Sequence, residues 1–169
     1  MQVLNVLQKW GLTSPQQATA WQSLILTSIP ACTSWIQKNR QESALMAFVL
    51  FNISDEIVTR EEAGIAYQEG NNRVGILFQE KWSRNFTSRT KEICHEIQEK
   101  TKEVMGFDVS MGIGKWVKKP EELIQSHDMA AQTLQYRYLL GGNLLIDMEE
   151  QHPFRKSQSK MIWQNSKKP

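Results

Sequence analysis

Phe107-Asp108-Val109-Ser110-Met111-Gly112-Ile113-Gly114 decides how this chain is read, because it is answered downstream by Leu139-Leu140-Gly141-Gly142-Asn143-Leu144-Leu145-Ile146. Between the two, Pro120 opens a helix as its first-turn proline, Leu123, Ile124, Met129, Leu134 and Leu139 run along it, and Gly141-Gly142 ends it. The segment therefore reads as a strand over 107–116, an amphipathic helix, and a last strand over 143–148.

Working outward, residues 81–105 form a long helical pattern closed by Gly106, with Ile93, Ile97 and Val104 on its apolar side. Before it, Gly64-Ile65-Ala66-Tyr67-Gln68 and Arg73-Val74-Gly75-Ile76-Leu77-Phe78 flank Glu69-Gly70-Asn71-Asn72, whose turn-forming residues mark a β-hairpin. The near-continuous apolar run Ala44 to Ile53 has the length of a central strand covered on both sides, and Glu56 to Glu62 that of a short helix. The first forty residues read as helices: Val3, Leu4, Val6, Leu7 and Trp10 recur at helical spacing, Thr13-Ser14-Pro15 restarts the pattern, and Trp21, Leu24, Ile25, Trp35 and Ile36 continue it around Pro30. Those bulky residues either pack on the sheet or offer a dimer or interdomain surface. The fold class expected is α+β: a ferredoxin-like, mostly antiparallel sheet of about five strands with packed helices, plus N-terminal helices. Residues 1–42 are the N-terminal helical segment, 43–150 the main domain and 151–169 a tail or linker.

Composition bounds the function. The net charge of +2 is too small to argue nucleic-acid binding for the whole chain. The stretch from His152 to Pro169 carries five basic residues and no acid, which reads as a solvated tail, with a phosphate-contacting segment as the other reading. Cys32 and Cys94 are far apart, and His95, His127 and His152 are not at metal-ligand spacing, so neither a metal nor a cofactor is expected. Cys94 beside His95 reads as packing. No stretch reaches the roughly 18 apolar residues of a membrane span, and no secretory leader is visible, so a cytoplasmic location without membrane attachment is expected. Gly112-Ile113-Gly114-Lys115 lacks the remaining glycine and the immediate helix of a phosphate loop, and Lys115, Lys118 and Lys119 have no base-reading helix beside them.

The order of elements resembles the GGDEF and nucleotide-cyclase group. More narrowly, residues 107–114, with Glu121-Glu122-Leu123 and the run from Ala130 to Gly142, resemble the middle domain of bacterial AraC-type two-component response regulators, from about Ala44 to Glu150. That resemblance implies a receiver domain before the region and a helix-turn-helix domain after it. This chain itself shows no paired short helices for reading DNA.

An active cyclase of the GGDEF type needs carboxylates on its first strand and at the hairpin, because magnesium must neutralise the triphosphate and help activate the attacking hydroxyl. Reading 44–53 as that strand, the positions hold Asn52 and Ser54, with Asp55 one place beyond, and the hairpin reads Glu69-Gly70-Asn71-Asn72 where the enzymes have Gly-Gly-Asp-Glu. Tyr138 stands where the enzyme group offers a lysine. The expectation is no catalysis: a regulatory domain that relays the receiver's phosphorylation state to a DNA-binding domain outside this chain. A homodimer through the N-terminal helices and the Tyr136-Arg137-Tyr138 segment are the candidate interfaces. The alternative is a small-molecule or nucleotide sensor, in which Arg73 offers a fork to an anion and Asn52, Ser54, Asn71 and Asn72 supply hydrogen bonds.

Overall fold

A computed structural model describes residues 19–27, 40–70, 73–81, 86–140 and 143–147. In chain order the elements are β1 (Thr19–Thr27), α1 (Arg40–Arg60), β2 (Gly64–Glu69), β3 (Arg73–Lys81), α2 (Phe86–Met105), β4 (Ser110–Ile113), a 3₁₀ turn (Pro120–Glu122), α3 (Leu123–Gln135), α4 (Arg137–Leu140) and β5 (Leu145–Asp147). The strands form one sheet in the order β2-β3-β1-β4-β5. Only β4 and β5 run parallel; the other neighbours are antiparallel. From β1 to β4 this is the ferredoxin-like βαββαβ order, and α3 with β5 extends it by a parallel crossover.

Two of the expected elements are of the other type. Residues 19–27, read as helical from the spacing of Trp21, Leu24 and Ile25, form the central strand. All residues from Trp21 to Thr27 are buried, so the strand has no polar face to show a period of two. Residues 44–53, read as that strand, lie inside the 21-residue helix α1. Here Met46, Ala47, Leu50 and Ile53 are buried while Leu45 and Phe48 point outward, so a helix with a wide apolar face mimicked a buried strand. Ser54 and Asp55, read as its end, continue the helix. Of the expected N-terminal helices, residues 1–18 and 28–39 lie outside the described residues.

The hairpin is as expected, although β3 extends to Lys81 and α2 starts only at Phe86. The strand expected over 107–116 is shorter, Ser110 to Ile113. One sheet face carries Leu24, Leu26, Val74, Ile76 and Phe78 against Leu50, Ile57 and Val58 of α1 and Ile93, Cys94 and Ile97 of α2. Each such fully buried aliphatic side chain contributes about 1.5–3 kcal/mol. Burial also pushes the Cys94 thiol well above its ordinary pKa, in keeping with a packing role. Val104, expected on the apolar side of α2, is exposed.

The other face carries α3. The residues α3 buries are Leu123, Ser126, Ala130, Thr133 and Leu134, a mostly small set, while Ile124 and Leu139 of the expected apolar stripe are exposed. Gly112 and Gly114 explain the small size. A Cβ on Gly112 would stand 2.6 Å from the Leu134 backbone nitrogen and would also strike the Ala130 carbonyl oxygen. One on Gly114 would stand 2.6 Å from Ser126 Oγ and would strike the Ser126 carbonyl. The alternating glycines thus bring helix backbone directly onto strand backbone.

Candidate regulatory site at the hairpin mouth

β1 is the element around which the site is built. Its C-terminal end lies between the hairpin base and the start of β4, with Leu26 opposite Val74 on one side and Thr27 opposite Ser110 on the other. At its other end β1 pairs with β4 to Leu24↔Ile113 and meets the chain beyond β4 in an isolated bridge, Trp21↔Val117. Gln22 and Ser23 therefore face three residues, Gly114, Lys115 and Trp116, which is a β-bulge. The bulge leaves backbone groups that side chains satisfy. The Ser23 amide donates to Ser126 Oγ (3.0 Å), the Ser126 hydroxyl donates to the Lys115 carbonyl (2.7 Å), and Gln22 Nε2 donates to the Gly114 carbonyl (2.7 Å). Ser126 thereby ties α3 to β1 and to the bulge.

The hairpin closes on the pair Glu69↔Arg73, and Gly70 follows Glu69 with a positive φ of 67°. Glu69 is buried and faces α3, where His127 Nε2 lies 3.0 Å from its Oε1. Arg73 Nη2 lies 3.5 Å from the same oxygen. Burial pushes the Glu69 carboxyl upward, but the His127 hydrogen bond and the charges of Arg73 and His127 outweigh it and hold the group below its ordinary range. For His127 the hydrogen bond to Glu69 dominates and raises the imidazole pKa against an opposing desolvation. Tyr67, two residues before Glu69 on the same face, lies over Gly75, and burial first and the Glu69 charge second push its phenol upward. A buried carboxylate is thus held ionised by an arginine from one element and a histidine from another.

Of the five residues named from sequence as a candidate effector pocket, the described ones, Asn52, Ser54 and Arg73, are not drawn together. Asn52 and Ser54 sit on helix α1, not on a strand, and α1 covers the sheet face opposite to α3. Asn52 is exposed and its Nδ2 donates to the Phe48 carbonyl of its own helix (3.0 Å). Ser54 is fully buried, with no hydrogen-bond partner for its hydroxyl. Arg73 is at the hairpin mouth but is engaged by Glu69. Asn71 and Asn72 lie outside the described residues. Because the first strand among the described residues is β1 and not residues 44–53, the positions beside the hairpin are read from Thr19-Ala20-Trp21-Gln22-Ser23-Leu24-Ile25-Leu26-Thr27. This strand has no carboxylate, and the first acidic residue of the whole chain is Glu42.

Tyr138, at the position where the enzyme resemblance implies a lysine, is half exposed on α4. The Arg137 guanidinium lies 4.9 Å from its ring centroid and donates to its hydroxyl (3.0 Å). Lys115 Nζ donates to Gln125 Oε1 (3.1 Å) at the bulge. The His127–Glu69 bond and the role of Ser126 carried no local sequence signal, since each joins residues far apart in the chain. The two alternating glycines of the 107–114 stretch were the visible part of the α3 contact.

No protein-family model matches the chain, and no curated protein matches it. Among solved structures, the chain is similar to the GGDEF domain of DgcB from Caulobacter crescentus, determined in complex with c-di-GMP. The two share 14% identity over 86% of this chain and 83% of that chain, with a TM-score of 0.52. This likeness establishes the fold alone: a GGDEF-like α+β domain. Among the described residues no helix is long and apolar enough to cross a membrane.

Proposed function

We propose that this chain is a non-catalytic regulatory domain on a GGDEF-like scaffold, serving a transcriptional response regulator by relaying receiver phosphorylation to a DNA-binding domain outside the chain. One observation carries the non-catalytic part. The strand beside the hairpin, Thr19–Thr27, holds no carboxylate, and the hairpin's own Glu69 is buried and engaged by His127 and Arg73. A two-carboxylate cradle for magnesium and a triphosphate therefore has no donors on β1. The response-regulator context is supported by the resemblance carried by residues 107–114, 121–123 and 130–142 within 44–150, which implies a receiver domain before the region and a helix-turn-helix domain after it.

The sensor alternative has less support, because Asn52 and Ser54 lie on a helix of the opposite layer. Incubation with GTP and magnesium tests catalysis: no cyclic dinucleotide is expected, and turnover above a heat-treated control would overturn the reading. A thermal-shift screen of nucleotides tests the alternative, since a specific ligand at a hundred times its Kd stabilises by about 2.7 kcal/mol. The relay is tested in the parent protein by measuring DNA affinity with the receiver phosphorylated and unphosphorylated. A Gly112→Ala variant is expected to lose the difference between the two states. A difference retained in full would remove this domain from the relay.

A further inference from the structure

The hydrogen bond between His127 and Glu69 joins the hairpin to α3, and among the described residues the titratable groups around it are few. From β2 come Glu69 and Tyr67, from β3 Arg73, and from α3 itself Asp128, whose Oδ1 lies 3.6 Å from His127 Nδ1. The β1 residues with known packing toward this face, Trp21, Ser23 and Ile25, are not titratable. Glu69 Oε2 is buried without a hydrogen-bond partner, so the carboxylate depends on the His127 and Arg73 contacts at its other oxygen. His127 itself is largely buried, with 19% of its side chain exposed.

We propose that the His127–Glu69 bond is a proton-operated latch that fixes the β2–β3 hairpin against α3 when His127 is protonated and loosens it when the proton leaves. The protonated ring donates from both nitrogens, Nε2 to Glu69 and Nδ1 toward Asp128. The neutral ring keeps one N–H and loses the charge, and a charge-assisted hydrogen bond is about twice as strong as a neutral one. The proton exchanges with solvent through the exposed part of the ring, so no other group of the fold need supply it. The inference goes beyond the relay reading and holds for any ligand or partner the domain serves.

The direction of the effect follows from both partners. The His127 pKa is raised above its ordinary 6.5, so the latch is complete below that pH and is lost as pH rises through the folded-state value. The Glu69 pKa is lowered below its ordinary 4.5, so its share is complete above that pH and is lost as pH falls through the folded-state value. The latch is therefore tightest between 4.5 and 6.5 and opens on the alkaline side.

NMR on the full chain tests this. The His127 ring resonance, assigned by its absence in His127→Gln, is expected to titrate above 6.5, and in Glu69→Gln to titrate at a lower pH. Amide exchange in the hairpin, corrected for intrinsic rates, is expected to become about fivefold to tenfold faster between about pH 6 and about pH 8.5 relative to the central strand. His127→Gln, whose amide donates at every pH, is expected to abolish that dependence. A midpoint at or below 6.5 in the wild type, or hairpin exchange equal at the two pH values, overturns the latch; the wild-type readings suffice if a variant does not fold.

Discussion

Replacing Gly112 by alanine probes the contact on which the α3 face depends. The added methyl would stand 2.6 Å from the Leu134 nitrogen and 2.9 Å from Leu134 Cβ, against the 3.4 Å at which ordinary contact begins, so the shortfall is about 0.8 Å. The Ala130 carbonyl oxygen is closer still. Two of these three atoms are helix backbone, so no rotamer change relieves the clash and α3 must lift. A gap of about 0.5–1 Å forfeits a quarter to a half of each dispersion contact, and the residues exposed to that loss are Leu123, Ala130 and Leu134. Overpacking a rigid site costs about 1–3 kcal/mol, and here the upper end applies, near 3 kcal/mol. The melting temperature should fall by about 6–12 °C, with the urea slope unchanged. Gly106→Ala is the control: Gly106 ends α2 with φ of +70° and has nothing within 4 Å of its Cβ position. It tests backbone conformation without close packing, and should cost about 1–2 kcal/mol. Urea unfolding followed by far-UV circular dichroism reads both. Equal losses for the two variants would refute the argument that α3 rests backbone to backbone on β4.

Two further outcomes follow from buried hydroxyls with opposite circumstances. Ser126→Ala leaves the Ser23 amide and the Lys115 carbonyl without their shared partner, and should cost about 1–3 kcal/mol with faster exchange of the Ser23 amide than of Leu24. Unchanged Ser23 protection would show that solvent replaces the hydroxyl. Ser54→Ala removes a buried oxygen that has no partner, and should be neutral or stabilising by up to about 1 kcal/mol in the same urea assay. A clear loss of stability there would mean that the Ser54 hydroxyl has a bonding role which its place among the buried residues of α1 does not reveal.

What could be read from the sequence depended on how local the physical cause was. The hairpin was legible because Glu69-Gly70-Asn71-Asn72 carries its own turn chemistry, and the end of α2 because Gly106 stops it. The crossover from β4 to β5 was legible because Pro120 and the paired glycines at 141–142 bracket a helical stretch, although the single helix expected there is divided into a 3₁₀ turn, α3 and α4. β1 and α1 exchanged types because both are apolar runs in which burial, and not alternation, sets the pattern: Trp21 to Thr27 has no exposed residue, and α1 buries Met46, Ala47, Leu50 and Ile53 within ten positions of Ala44. That one exchange moved the candidate pocket onto Asn52 and Ser54. The His127–Glu69 bond spans 58 positions and the Ser23–Ser126 bond 103, so neither leaves a periodic trace.

Under the proposed non-catalytic reading, the same contacts give the route by which the domain transmits a signal. A helix held off a sheet by long side chains can slide by small repacking steps, whereas α3 meets β4 through glycine and helix backbone, with Ser126 bonded to both β1 and the bulge. Such an interface has few intermediate positions: the helix is seated, or its backbone contacts and the Ser126 bonds are lost together. His127 lies one residue beyond Ser126 and reaches the hairpin, while the C-terminal end of α3 leads through α4 to β5. A perturbation at the hairpin mouth therefore acts on the same helix that connects to the last strand. Under the proposed reading, that seated-or-lifted choice is the two-state element a relay requires. Gly112→Ala would bias it toward the lifted form, and the latch at His127 would bias it toward the seated one.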